Sequence, residues 1–306
     1  MAGRAYDFVQ LDVFTQTPLA GNPLAVFPNA RGLNDAEMQA LAREMNLSET
    51  TFIFPRDAAT EAREGKKVRI FTVEQELPFA GHPTLGTALY LYADSNQNRP
   101  AEITLDLKAG KIPVCFTASS EDAGRQRVDG QVFGEMRQRD PEFGTPFSRI
   151  DIARVIGIPV NEIHSKWPIQ PVSTGFAFTI VPFRNRQTLS DLQFGYTQAA
   201  EFLKKTGANL FYFLCPERRE DELEAGARMF FYGGEDPATG SAAGCAASWM
   251  VQHGIAKSDE HVVIRQGIEC RRPSEMHVRA TREGERVTNV RVGGYAVEIL
   301  RGTVVL

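Results

Sequence analysis

The sequence predicts an α+β protein of two similar domains, each a curved, mostly antiparallel sheet wrapped around one central helix. Three observations predict it. Most of the 306 residues read as short strands separated by Gly, Pro and charged turns, with few helices between them. Two helical stretches, "GHPTLGTALYLY" from Gly81 and "GSAAGCAASWMVQHG" from Gly240, carry almost nothing polar on any side, so each must sit inside something. The segments leading into these helices also align without a gap. "RIFTVEQELPFAGH" matches "RMFFYGGEDPATGS", pairing Arg69 with Arg228, Phe71 with Phe230, Glu76 with Glu235, Pro78 with Pro237 and Gly81 with Gly240. Every pair is 159 positions apart, close to half the chain, as an internal duplication requires.

In chain order, "YDFVQLDVF" alternates, with Val9, Leu11 and Val13 on one face, and "GNPLAVF" is a turn followed by a short apolar strand. "NDAEMQALAREMN" is a helix: Asn34 caps it, Glu37 stands three residues on, and Met38, Leu41, Ala42 and Met45 form one face. "ETTFIF" and "KVRIFTV" read as strands on either side of a polar stretch, and "AEITLDL" and "IPVCFTA" follow the first buried helix. The polar run "TASSEDAGRQR" marks a boundary. It divides the chain into a first domain, 1–118, and a second, 119–296, with a C-terminal strand at about 297–306 returning to the first. Beyond the boundary, "IDIARVIG" and "TQAAEFLKK" read as helices and "NLFYFLC" as a buried strand. The last fifth, from "HVVIRQGIEC" to "AVEILRGTVVL", is a series of strands.

Composition excludes several classes. A net charge of −4, with no basic block or basic-aromatic stripe, argues against nucleic acid. No apolar run approaches the roughly 20 residues that span a bilayer, and the N-terminus enters strand-like sequence directly. Cys115, Cys215, Cys245 and Cys270 are scattered without CxxC spacing, which fits reduced thiols in a cytoplasmic protein. The five histidines lie far apart in sequence, and no metal, nucleotide or nicotinamide motif appears.

Each buried helix begins at a glycine, Gly81 or Gly240, which allows a tight turn and leaves the first helical N–H groups without intrahelical partners. Two such mouths facing one another would grip a small carboxylate, helped by the helix dipoles. His82 and Ser241 follow the two glycines at matching positions. Ser241 has the alternative job of helix cap, and His82 that of a satisfied loop histidine.

The stretches "LDVFTQTPLAGNPLAVF", "AREMNLSETTFIF", "VRIFTVEQELPFAGHPTLGTA", "ARMFFYGGEDPATGSAAG", "IRQGIECRRPS" and the terminal "GTVVL" resemble the PhzF family of cofactor-independent isomerases, nearly end to end. The resemblance implies a diaminopimelate-epimerase-like fold, a homodimer, no cofactor or metal, and an active site in the interdomain cleft. It also implies proton movement on a small cyclic or unsaturated carboxylate, similar to trans-2,3-dihydro-3-hydroxyanthranilate. Carried over by motif, the catalytic residues are Glu49 in "NLSETTF", His82 in "FAGHP", and Asp236 and Ser241 in "EDPATGS". Asn22, Ser48, Gly81 and Gly240 are the candidate substrate contacts, although a "GNP" turn such as that of Asn22 is also ordinary loop chemistry. Glu49 precedes an apolar strand, where partial desolvation suits an acid/base carboxylate. Two other readings stand beside this one. Amino-acid epimerases of the fold carry a cysteine before each mouth glycine, where this chain has Ala80 and Thr239. A non-catalytic carboxylate-binding protein would keep the mouths without turnover.

Overall fold

A computed structural model describes residues 3–95, 99–117, 132–206, 210–231 and 234–306. The chain divides into two compact units, Met1–Arg137 with Gly293–Leu306, and Gln138–Val292. The run "TASSEDAGRQR" lies, beyond Thr117, outside the described residues. The units part later than position 118 because strand Phe133–Arg137 hydrogen-bonds to Gly110–Thr117 and so stays with the first.

In the first unit, Ala296–Val305 pairs antiparallel with Ala5–Val13, which pairs antiparallel with Asn22–Phe27. Asn22–Phe27 runs parallel to Glu49–Phe54, and that strand is antiparallel to Lys66–Phe71. Lys66–Phe71 runs parallel to Glu102–Leu107, and Gly110–Thr117 and Phe133–Arg137 continue the sheet antiparallel. Each parallel joint needs a crossover, and a helix supplies each one. Helix Asp35–Met45, with Asn34 and Glu37 forming a full capping box, buries Met38, Leu41 and Ala42 against Phe27, Phe52 and Phe71. The central helix Gly81–Asp94 takes the other face of the same strands and buries eleven of its fourteen residues. A Cβ on Gly86 would stand 2.7 Å from side-chain atoms of both Leu24 and Val13, so glycine sets how closely this helix approaches the sheet. Deep in that contact, Thr87 Oγ1 donates to Thr51 Oγ1 at 2.9 Å. Coverage on both faces is why "PLAVF" reads as an unbroken apolar run and does not alternate.

The second unit repeats these joints. Gln170–Ser173 pairs antiparallel with Ala177–Pro182, which runs parallel to Leu210–Arg219 across helix Tyr196–Thr206. Leu210–Arg219 pairs antiparallel with Glu222–Phe231. Glu222–Phe231 runs parallel to Val262–Gln266 across the buried helix Gly240–Gln252, and Ser274–Glu283 follows antiparallel. The 159-residue offset survives as geometry. Phe71 pairs with Glu76 and Phe230 with Glu235, while Lys66 pairs with Leu105 and Ala225 with Ile264. Arg69 grips Glu76 with two bonds of 2.8 and 3.0 Å, and Arg228 grips Glu235 with two of 2.8 Å. Each guanidinium also lies over the next-but-one phenylalanine, Phe71 at 5.1 Å and Phe230 at 4.7 Å. The repeat is therefore a repeated hairpin, clamped the same way twice, that delivers the chain into a buried helix. Among the described residues, no helix is long and apolar enough to cross a membrane.

Candidate active site

Glu49 is the first residue of its strand, in register with Leu24, and His82 is the second residue of the central helix. The two side chains meet: His82 Nε2 lies 3.5 Å from Glu49 Oε2, and only 6% of the histidine side chain and 16% of the glutamate side chain are exposed. The other ring nitrogen, Nδ1, donates to the carbonyl of Pro23, and Nε2 makes no hydrogen bond of its own. That bond places the neutral ring's proton on Nδ1 and turns the Nε2 lone pair toward the carboxyl group. Burial is the dominant influence on the imidazole; it outweighs the Pro23 bond and carries the pKa down to about 3. The pair is thus not an ion pair but a neutral acceptor facing a carboxyl, an arrangement suited to holding and releasing one proton.

This burial has a sign in the pH dependence of stability. An unfolded chain binds a proton at the histidine below about pH 6.5, whereas the folded chain takes it up only near pH 3. The unfolded state therefore holds more protons across that window, and stability falls as pH drops through it. Against His82→Asn, the unmodified protein should lose stability more steeply between these limits, by up to about 1.4 kcal/mol per pH unit. Urea titrations at stepped pH measure this, and parallel slopes for the two proteins would show that the ring is not held neutral.

Asn22 is buried at the start of its strand, opposite Val13. It is placed there by Gly21, whose φ of 68° and close approach to the Val13 carbonyl leave no room for a side chain. Ser48 is half-buried and immediately precedes Glu49.

In the second unit Asp236 lies buried at the other repeated mouth, and Thr239 Oγ1 donates to its Oδ2 at 2.6 Å. Gln266 Nε2 donates to the Asp236 carbonyl at 2.7 Å and to Thr239 Oγ1 at 2.9 Å. Ser241 is the second helical residue and half-buried, so it does not occupy the cap position. The caps are Ala80 and Thr239, and neither makes a side-chain cap bond, which leaves both helix mouths uncapped by side chains. The tight turn expected of the two mouth glycines does not form. Gly81 and Gly240 are the first helical residues and are absent from the positive-φ positions, so no tight turn demands them.

Cys245 sits inside the second central helix, where burial pushes its thiol up to about 11 and Thr174 Oγ1 stands 3.5 Å away. It is no thiol base at a mouth. The histidines that look scattered in sequence are not all apart in space. Neighbouring strands bring His261 Nε2 within 2.9 Å of His277 Nδ1, on an exposed face. Among the described residues no three His, Cys, Asp or Glu side chains are grouped to hold a metal ion. Sequence reasoning overlooked Gln266 and Tyr212 as members of the Asp236 cluster. The available signal was a glutamine ending the apolar strand "VVIRQ".

The profile of the phenazine biosynthesis-like protein family, PhzC-PhzF, matches residues 11–302. The chain belongs to the PhzF family. It is 35% identical to the trans-2,3-dihydro-3-hydroxyanthranilate isomerase of Pseudomonas fluorescens, over 98% of this chain and 100% of that protein. The crystal structure of a PhzF-family phenazine biosynthesis protein from Bacillus anthracis superposes with a TM-score of 0.85 at 25% identity, covering 99% of this chain and 100% of that one. A hydroxyproline epimerase from Agrobacterium vitis shares the fold alone, with a TM-score of 0.64 at 12% identity, covering 100% and 94% of the two chains. The α+β fold with a buried helix in each unit is therefore the PhzF and proline-racemase-like fold, and this PhzF-family chain is an isomerase.

Proposed function

We propose that this PhzF-family isomerase moves a proton between two carbons of a small cyclic or unsaturated carboxylate, using side chains alone. The observation that carries the proposal is the buried facing of Glu49 Oε2 and His82 Nε2, 3.5 Å apart, with the imidazole's other nitrogen committed to the Pro23 carbonyl. In this reading Glu49 takes a proton from a carbon acidified by a neighbouring double bond or carboxylate. The C–H electrons enter the π system, and Glu49 returns a proton, exchangeable with solvent while the carboxyl group holds it, to another carbon of that system, so nothing is gained or lost. His82 accepts a hydrogen bond from Glu49 while it carries the proton. Acid–base help of this kind contributes roughly 10²–10⁴-fold. Asp236, Ser241 and the N–H groups behind Gly81 and Gly240 hold the substrate's polar groups, with Asn22 and Ser48 as further contacts. A cytoplasmic homodimer belongs to the same proposal; its support is the family membership and four free cysteines, and sedimentation measures the dimer.

The test offers trans-2,3-dihydro-3-hydroxyanthranilate, the compound named for the Pseudomonas relatives, to protein that has been treated with chelator and stripped of small molecules. The expected outcome is turnover without additives and, in D2O, deuterium at the carbon that receives the proton, to an extent set by how well the site excludes water. Activity that disappears on chelation and returns with a metal, or that needs a nucleotide, would overturn the proposal. Binding of this compound and related cyclic carboxylates without turnover would leave a binding protein in place of an enzyme.

A further inference from the structure

We infer that Gln266 and Thr239 are positioning residues that force the Thr239 hydroxyl to donate to Asp236, fixing that carboxylate as an oriented acceptor at the second helix mouth. The inference rests on the proposed role of Asp236 in binding. Gln266 is fully buried, and its amide orientation is decided by its partners. Its Nε2 faces two oxygens, the Asp236 carbonyl at 2.7 Å and Thr239 Oγ1 at 2.9 Å. Its Oε1 faces two donors, the Tyr212 hydroxyl at 3.1 Å and the Thr239 N–H at 3.3 Å. Exchanging oxygen and nitrogen would set acceptor against acceptor at the Asp236 carbonyl and donor against donor at the Thr239 N–H. Thr239 Oγ1 therefore accepts a hydrogen bond from Gln266 Nε2, and its own O–H donates to Asp236 Oδ2 at 2.6 Å. Each bond in the chain polarises the next.

The first unit shows that this chain is not a requirement of the fold. At the 159-residue offset, which the strand register preserves through Glu102–Leu107 and Val262–Gln266, the counterparts of Asp236, Thr239 and Gln266 are Leu77, Ala80 and Leu107. The same hairpin and helix form there with apolar side chains. A buried polar cluster costs free energy unless it is fully bonded, so its presence at one mouth alone points to a task at Asp236. Burial, helped by the Asp236 charge, keeps its titratable neighbours neutral. Tyr212 keeps its proton through burial first and the Asp236 charge second, and Cys270 does so through burial, Glu235 and then Asp236.

Four variants test this: Thr239→Val, Thr239→Ser, Gln266→Leu and, as reference, Asp236→Asn. Thr239→Val keeps the shape and removes the donor, so kcat/KM should fall about tenfold and its acid limb move up by about one pH unit. Gln266→Leu, which copies the first unit, should give a similar loss that does not add to that of Thr239→Val. Thr239→Ser restores the hydroxyl and should restore both rate and acid limb, which a purely structural role for threonine would not predict. If Asp236→Asn abolishes turnover while a folded Thr239→Val leaves the rate and the acid limb in place, positioning is overturned and the proposed site stands. Near-normal turnover in Asp236→Asn would instead remove the proposed site, and this inference with it.

Discussion

Glu49→Gln should keep the fold and lower turnover by at least about a hundredfold, the lower end of what acid–base help supplies. The substitution is nearly isosteric, and its amide can still donate to His82 Nε2, 3.5 Å away in the unmodified protein. The apolar strand behind it, from Phe52 inward, is untouched. What the amide cannot do is accept a proton from carbon and give it back. Circular dichroism and a urea transition close to those of the unmodified protein establish the fold, and a rate assay on the substrate then isolates the chemistry. A folded Glu49→Gln protein with near-normal turnover would take proton transfer away from this residue and leave the buried pair a structural contact.

The second large effect falls on stability and separates the two halves of the repeat. Arg228→Met should cost about 3–5 kcal/mol, the range for removing one partner of a buried ion pair. The Arg228 and Glu235 side chains are only 7% and 11% exposed, so Glu235 would be left charged in a dry place. Arg228 Nη1 also donates to the carbonyls of Leu189, Ser190 and Leu192 at 2.9–3.0 Å, and these would lose their donor too. Arg69→Met breaks the equivalent clamp where the side chains are 22% and 19% exposed, and water can take the place of the guanidinium. Its cost should be clearly smaller. Both tryptophans, Trp167 and Trp249, lie in the second unit, so fluorescence-detected urea unfolding reports on the unit that Arg228 clamps. Circular dichroism follows Arg69→Met. A loss at Arg228 no greater than that at Arg69 would mean that burial does not set the value of these clamps.

Elements whose signals are local can be read from the chain without its fold. Asn34 and Glu37 announce a helix because a capping box needs only residues three apart. The helices from Gly81 and Gly240 announce their burial because they carry no polar face, and the 159-residue offset announces two units built alike because duplicated strands keep their register. The motifs around Glu49, His82 and Asp236 pointed to the family for the same reason. A helix with no apolar face gives no such signal: Ala58–Glu64, capped by Asp57, buries none of its residues and left no periodicity to read. Tertiary structure alone decided the rest. That His82 is neutral follows from burial and from the Pro23 carbonyl, which arrives on a strand far upstream in the chain. That Gln266, Tyr212 and Thr239 surround Asp236 follows from strand pairing across 27 to 54 residues of sequence. That His261 meets His277 follows from a two-strand register. Periodicity and capping act over a few residues and are written in the chain. Protonation state and hydrogen-bond direction depend on which distant groups the sheets bring within about 3 Å, and no local pattern encodes that.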